Sequence, residues 1–234
     1  MKETISCIIP VYNNSETLAG EIKILASCKE IEEIIVIDDC SKDNSLEIMK
    51  SLSKSLAPKV KILANRQNLG KGETIVRGLK LAKGEIIFLC DADLSTLSKK
   101  YVKDLISAYK TGEFAMVIGN MFPREHLQSW QNIISGQRIL KRDLIKPYLR
   151  LIAKMGNGIE QIINFACQGK KIKIVYSKDP GHILKYQRGE GFKATTTAYS
   201  KEIWQLIRTE LLLEKMRLKE IKRKSSCNTD MIMS

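Results

Sequence analysis

Strand-length apolar runs alternate with helix-spaced stretches along the first half of this chain, and that alternation restricts the fold more than any single residue does. Thr4 to Val11, Glu33 to Ile37, Val60 to Leu63 and Ile86 to Leu89 read as strands. Between them Leu18, Ile22 and Leu25 fall at helical spacing, Ser45 to Ser53 is a short helical stretch, and Ile75, Leu79 and Ala82 form another apolar stripe that Gly84 should end. Asn14 or Ser15 can cap the first of these helices. Strands joined by crossover helices pair in parallel, so the expected fold is α/β, with a mostly parallel central sheet flanked by helices. At 234 residues the chain suits one such domain or one with a small annex, over residues 1–224, with 225–234 as a tail.

Parallel strands deliver their C-terminal ends to one edge of the sheet, where open α/β folds bind ligands. Here those ends carry Pro10 and Tyr12, Asp38 and Asp39, and Asp91 and Asp93. In Ile86-Ile87-Phe88-Leu89-Cys90-Asp91-Ala92-Asp93 the two acids stand one residue apart, so strand alternation, if it persists, points both the same way. Adjacent carboxylates repel unless a cation joins them, and a hard cation takes carboxylate and phosphate oxygens together. The pair reads as a metal and diphosphate site, or as two solvated loop acids. Gly70-Lys71-Gly72 precedes a helix, where backbone N–H groups and Lys71 suit a phosphate, or where the glycines only start the helix. The P-loop spacing and the G-x-G-x-x-G fingerprint are both absent.

The second half keeps the rhythm less well. Ser98 to Lys110 reads as a helix, Ala115 to Gly119 as a strand, and residues 120–137 as a loop over the active edge. Arg138 to Met155 looks helical, interrupted at Lys146-Pro147, and Gly156-Asn157-Gly158 separates it from a helix over Ile159 to Cys167. Lys171 to Tyr176 reads as a strand and residues 177–194 as a polar loop. A last helix over Ala198 to Lys224 carries Trp204, Ile207, Leu211, Leu218 and Ile221 near helical spacing. Its first half is expected to pack on the sheet, and its basic second half to face solvent or anionic lipid.

The net charge of +13 is uneven: residues 1–110 carry a surplus of +2 and residues 111–234 one of +11. A phosphorylated substrate, an anionic membrane surface or nucleic acid would answer that charge. No nucleic acid is expected, because no helix-turn-helix, zinc or aromatic RNA-binding signature accompanies it. Cys7, Cys28, Cys40, Cys90, Cys167 and Cys227 are scattered with no C-x-x-C, the pattern of reduced thiols in a cytoplasmic protein. Residues 1–4 run into a strand without a signal-peptide pattern, and no apolar run has membrane-spanning length. The expected location is cytoplasmic, or peripheral on the inner face of the membrane.

Four stretches now line up: Ile8-Ile9-Pro10-Val11-Tyr12-Asn13, Ile35-Val36-Ile37-Asp38-Asp39-Cys40-Ser41-Lys42-Asp43-Asn44-Ser45, Asn68-Leu69-Gly70-Lys71-Gly72 and Leu89-Cys90-Asp91-Ala92-Asp93-Leu94. In order and spacing, over roughly residues 4–120, they resemble glycosyltransferase family 2, of the GT-A fold. The resemblance implies a nucleotide-diphospho-sugar donor bound by residues 1–120, an acceptor side over 121–200, a basic helix over 201–224, and Mg²⁺ or Mn²⁺ at the D-x-D. It implies that Pro10, Tyr12 and Asp39 hold base and ribose, with Asp38 beside them, and that Lys71 lies near the nucleotide. Asp91 would face ribose or metal, and Asp93 would ligate the metal directly.

Ser135-Gly136-Gln137-Arg138 with Lys141-Arg142 is similar to the S-G-x-R-x-x-[RK]-R stretch of polyprenyl-phosphate sugar transferases. Gly158-Ile159-Glu160 and the loop of Gly181, His182, Lys185 and Gly189 resemble that branch too. With the basic second half, this resemblance makes a lipid phosphate at an anionic membrane surface the expected acceptor. Arg138, Lys141 and Arg142 would contact phosphate, or form a solvated helix face; His182 would complete the metal shell, or be a surface histidine. The chain departs from the family with Asn14 where Glu is frequent and Cys40 where Gly is frequent. It also lacks an evident E-D base motif and the C-terminal membrane helices of some lipid-linked members.

The expected reaction is a metal-dependent, inverting sugar transfer with Asp93, Glu160 and Arg138 in catalytic roles. A metal and cationic side chains would stabilise the leaving diphosphate. A phosphate acceptor is already ionised. A soluble hydroxyl acceptor, the alternative, needs a base, and Glu160 is the candidate unless it is only an acid favoured by the helix dipole. A sugar-phosphate nucleotidyltransferase would open with G-G-x-G-[TS]-R where Pro10-Val11-Tyr12-Asn13-Asn14 stands.

Overall fold

The computed structural model describes residues 3–120, 135–177, 200 and 203–219. A seven-stranded sheet runs through it. The strands are β1 (Ile5–Val11), β2 (Ile31–Asp38), β3 (Val60–Ala64), β4 (Ile86–Leu89), β5 (Met116–Asn120), β6 (Arg138–Lys141) and β7 (Ile172–Tyr176), in the order β3-β2-β1-β4-β6-β5-β7. Helices α1 (Leu18–Ala26), α2 (Ser45–Ser55), α3 (Lys71–Leu81) and α4 (Lys99–Lys110) follow β1 to β4 in turn. Beyond β6 come α5 (Arg142–Ile145), a 3₁₀ turn at Lys146–Tyr148, α6 (Leu149–Met155), a 3₁₀ turn at Gly156–Gly158 and α7 (Ile159–Ala166). A last helix, α8, covers residues 203–219.

Period-two alternation sorts the sheet's side chains into two cores. Cys7, Ile9, Val36, Phe88, Val117 and Ile139 face α1, α2 and α4. Ile8, Ile35, Ile37, Ile87, Leu89 and Leu140 face α3, α6, α7 and α8. Both faces of the central strands are covered, which is why their sequences read as continuous apolar runs. Phe88 is fully buried, and burial of a side chain this size stabilises the fold by about 2–3 kcal/mol.

Three expectations differ from the structure. Arg138 to Lys141 is a strand and not the start of a helix; it inserts antiparallel between β4 and β5, pairing Leu89 with Arg138 and Ile86 with Lys141. Ile139 and Leu140 are too short a run for periodicity to decide, and the two open strand edges decide instead. Gly84 is not a helix-ending left-handed glycine: its N–H donates to Ser6 Oγ at 2.8 Å, and a Cβ there would meet that oxygen at 2.6 Å. Ser98 does cap α4, its Oγ accepting the Tyr101 N–H at 3.2 Å. The cap expected of Asn14 or Ser15 is absent, since α1 begins after Thr17 without a side-chain cap. Cys7, Cys28, Cys40, Cys90 and Cys167 are free thiols, all buried but Cys40.

Candidate active site

The C-terminal ends of β1, β2 and β4 meet the N-terminus of α3 at one edge of the sheet. The loop after β2 ties down the loop after β1. The N–H groups of Asn13, Asn14 and Ser15 donate to Ser41 Oγ, Ser45 Oγ and Asp43 Oδ2 at 2.9–3.0 Å. Burial works against the Asp43 carboxylate, but the groups of Ser45 and Ser15 that bond to it hold its pKa below the usual range. Asp38 and Asp39 are both buried. Asp38 accepts the Ser41 N–H. Asp39 receives Asn65 Nδ2, the Leu69 N–H and the Gly70 N–H, each at 2.8 Å. It thereby fixes the turn that launches α3, where Gly70 adopts φ 84° as the N-cap. Cys40 has φ 64°, a left-handed conformation that disfavours a Cβ, and this is the position where the family it resembles often carries Gly. Pro10 lines the cleft, and Tyr12, two residues further on, is exposed.

Lys71, the first residue of α3, is the centre of the cleft. Its Nζ lies 2.9 Å from Asp91 Oδ1 and 2.7 Å from Glu160 Oε1, joining β4, α3 and the first turn of α7. Burial works against the charged amine, but the two carboxylates outweigh it and hold the pKa above the ordinary lysine value. Gly136 lies against Asp91 so closely that a Cβ would come within 2.0 Å of Oδ2. The remaining cavity, lined by Pro10, Lys71, Asp91, Gly136, Arg138 and Glu160, is about 10 Å³, room for roughly one water.

The D-x-D segment is held from beneath by α1, which the sequence reading did not foresee. Strand pairing stops at Leu89, yet burial keeps alternating: Cys90, Ala92 and Leu94 are buried, Asp91 and Asp93 half-buried. Thr17 Oγ1 donates to the Ala92 carbonyl at 2.7 Å, and the Leu94 N–H donates to Glu21 Oε1 at 2.6 Å. Glu21 is buried, and Oε2 makes no hydrogen bond among the described residues. Burial first, then the neighbouring charges of Asp93 and Asp91, push its pKa up to about 8. The signal was present in the sequence: Glu21 interrupts the apolar face of Leu18, Ile22 and Leu25.

Arg138 belongs to this edge, but not as a solvated cation. It is fully buried, donating from Nε to the Ser135 carbonyl at 2.7 Å and from Nη1 to Asn164 Oδ1 at 2.6 Å. Burial pulls its pKa down to about 10, while Glu160, Cys167 and Asp91 hold it up, so the guanidinium stays charged at neutral pH. Lys141 and Arg142 are not brought to the site, a correction that follows from the strand. Four residues of extended chain carry Lys141 to the opposite sheet edge, 2.8 Å from Glu3. Arg142 Nη1 bonds the Ala82 carbonyl there and lines a groove of about 300 Å³ with Lys80 and Lys146. His182 lies outside the described residues.

Asp91 and Asp93 supply hard oxygen donors, and no group of three or more His, Cys, Asp or Glu among the described residues makes a full cage. That set fits a cation such as Mg²⁺ or Mn²⁺ that completes its shell with a ligand's phosphate oxygens. Lys71 beside them suits the same phosphates.

The sequence profile of glycosyl transferase family 2 matches residues 6–131. A dolichyl-phosphate beta-glucosyltransferase of Dictyostelium discoideum is 29% identical over 157 residues, covering 62% of this chain and 45% of that protein. An undecaprenyl-phosphate 4-deoxy-4-formamido-L-arabinose transferase of Pseudomonas savastanoi is 36% identical over 95 residues, covering 38% and 28%. The match thus spans less than half the length of either relative. Among solved structures, glucosyl-3-phosphoglycerate synthase of Mycobacterium tuberculosis, in complex with Mn²⁺, uridine diphosphate and phosphoglyceric acid, superposes with a TM-score of 0.67. It is 19% identical, with 88% of this chain and 78% of that one covered, a likeness of fold.

Proposed function

Because this chain belongs to glycosyl transferase family 2, we propose that it is a glycosyltransferase that moves a sugar from a nucleotide-diphospho-sugar to a polyprenyl phosphate, inverting the sugar carbon. One observation carries the choice of acceptor. Glu160, the carboxylate placed to serve as a base, is buried and bound to the Lys71 ammonium at 2.7 Å. Its Oε1 is already taken up by the ammonium, whereas a phosphate oxygen, already ionised, requires no base. The relatives named for dolichyl and undecaprenyl phosphate support the same acceptor.

In this reading the phosphate oxygen attacks the anomeric carbon, the bond from that carbon to the diphosphate breaks, and the electron pair leaves on the β-phosphate. Asp39 and the loop it fixes, with Pro10 and Tyr12, form the base and ribose side of the cleft. Asp91 and Asp93 would hold a divalent cation, which neutralises charge developing on the diphosphate. Lys71 is the protein's own cation at that position. Arg138, buried and bonded to Ser135 and Asn164, sets the segment in which Gly136 and Gln137 back onto Asp91.

Glu160→Gln tests the acceptor. It keeps an oxygen for Lys71 but removes the base. With polyprenyl phosphate as acceptor, kcat should stay within about tenfold of the wild type. A fall of about 10²- to 10⁴-fold, with transfer to a soluble hydroxyl acceptor in the wild type, would favour the hydroxyl reading instead.

A further inference from the structure

The last helix was expected to pack through Trp204, Ile207 and Leu211, and it packs through its other side. Thr209 and Leu213 are fully buried, and Gly158 approaches so closely that a Cβ there would meet Thr209 Oγ1 at 2.1 Å. The contacts continue from Gln205 to the Asn157 N–H and from Arg217 to Gln168 and over the Phe165 ring. Ile203, Trp204, Ile207, Leu211 and Leu218 consequently face outward, all close to half exposed or more, Trp204 the most at 65%. At about 100° per residue these five fall within one arc of about 100°. Arg208, Lys215 and Lys219 flank the arc on the Trp204 side; Glu214 lies within it, and Glu210 lies on the Ile203 side, where it pairs with Arg217 at 3.1 Å. Single exposed apolar residues are ordinary on a protein surface, but Ile203, Trp204, Ile207 and Leu211 adjoin over successive turns before Glu214 interrupts the arc, and a patch of adjoining apolar residues marks an interaction face.

We propose that this outward face of α8 docks on an anionic lipid bilayer. The chemistry selects the partner. An indole with an apolar body and a polar edge suits the boundary between acyl chains and headgroups. Lysine and arginine beside the stripe extend their charges toward anionic headgroups while their stems lie on the apolar surface. The surplus of +11 in residues 111–234 draws the same half of the chain to such a surface. No helix among the described residues is long and apolar enough to cross a membrane, so the contact is one of a helix lying in the interface. The proposal stands on α8 alone, whatever sugar or acceptor the cleft uses.

The test is co-sedimentation of the full chain with vesicles of phosphatidylcholine alone and of phosphatidylcholine with phosphatidylglycerol. The wild type should bind the anionic vesicles, with a blue shift in emission that the Trp204→Phe variant lacks. The triple variant Trp204→Ser/Ile207→Ser/Leu211→Ser should bind on the order of tenfold more weakly or less. Lys215→Glu/Lys219→Glu should erase the preference for anionic vesicles. Since these side chains are exposed, the variants should keep the wild-type circular dichroism and melting temperature. Equal vesicle binding by wild type and triple variant would overturn the proposal. So would no vesicle binding by a wild type that forms a dimer the triple variant cannot form, which would assign the face to a second copy of this chain.

Discussion

At the scale of single residues, the clearest consequence belongs to Glu21. Its pKa is about 8 in the folded chain against an ordinary 4.5, so between those values the folded state holds a proton that the unfolded state has released. Folding stability therefore falls as pH rises from about 4.5 to about 8, by about 1.4 kcal/mol per unit within that window, and levels off above it. Glu21→Gln, an isostere of the protonated acid, removes the dependence. In metal-free buffer it should melt close to the wild type near pH 5 and several degrees higher near pH 8; identical melting profiles across that range would contradict the assignment. This residue was legible, as an acid on an apolar helical face, and its partner was not. Nothing in a sequence says that Leu94, 73 positions away, presents its N–H to that carboxylate. The same holds for Lys71 and Glu160, which lie 89 positions apart and meet at 2.7 Å.

Among the elements, α3 is the one that the cleft depends on, and its placement rests on how closely it can approach α6. A Cβ on Gly72 would lie 2.1 Å from the Ile152 carbonyl oxygen, and a backbone atom cannot swing aside as a side chain does. Gly72→Ala should lower stability by about 2 kcal/mol or more in urea unfolding, despite the higher helix propensity of alanine. Gly20→Ala, in α1 with nothing within 4 Å of the added Cβ, should instead raise it by up to about 1 kcal/mol. If both variants raise stability, helix propensity and not packing decides. The first five strands and four helices were readable because apolar runs and crossover order agree. β6 was not, because four residues with a central apolar pair satisfy either period, and only the gap between β4 and β5 selects a strand. That single misreading carried Lys141 and Arg142 from a shared helix face to the far edge of the sheet. For α8 the sequence showed an amphipathic helix but not which side the body would take; the small Thr209 opposite Gly158 settles it.

For the molecule as a whole, the sheet order and the placement of polar strand ends produce one active edge, and the family relationship agrees with it. The first half was visible as motifs because Asp38, Asp39, Asp91 and Asp93 sit at or just beyond strand ends and Lys71 at a helix start. The second half was visible mainly as charge, and charge alone does not reveal direction. The central claim is that this edge is a donor site at which Asp93 helps hold a divalent cation and a nucleoside diphosphate. Thermal unfolding with a set of nucleoside diphosphates, with and without Mn²⁺, measures it directly, because a ligand of the native state alone must stabilise that state. At about one hundred times its dissociation constant the matching nucleotide should add about 2.7 kcal/mol. For a chain of this size that is a rise of about 5 °C or more, present only with Mn²⁺ and lost in Asp93→Ala. No rise with any nucleoside diphosphate, or the same rise in Asp93→Ala, would contradict the account.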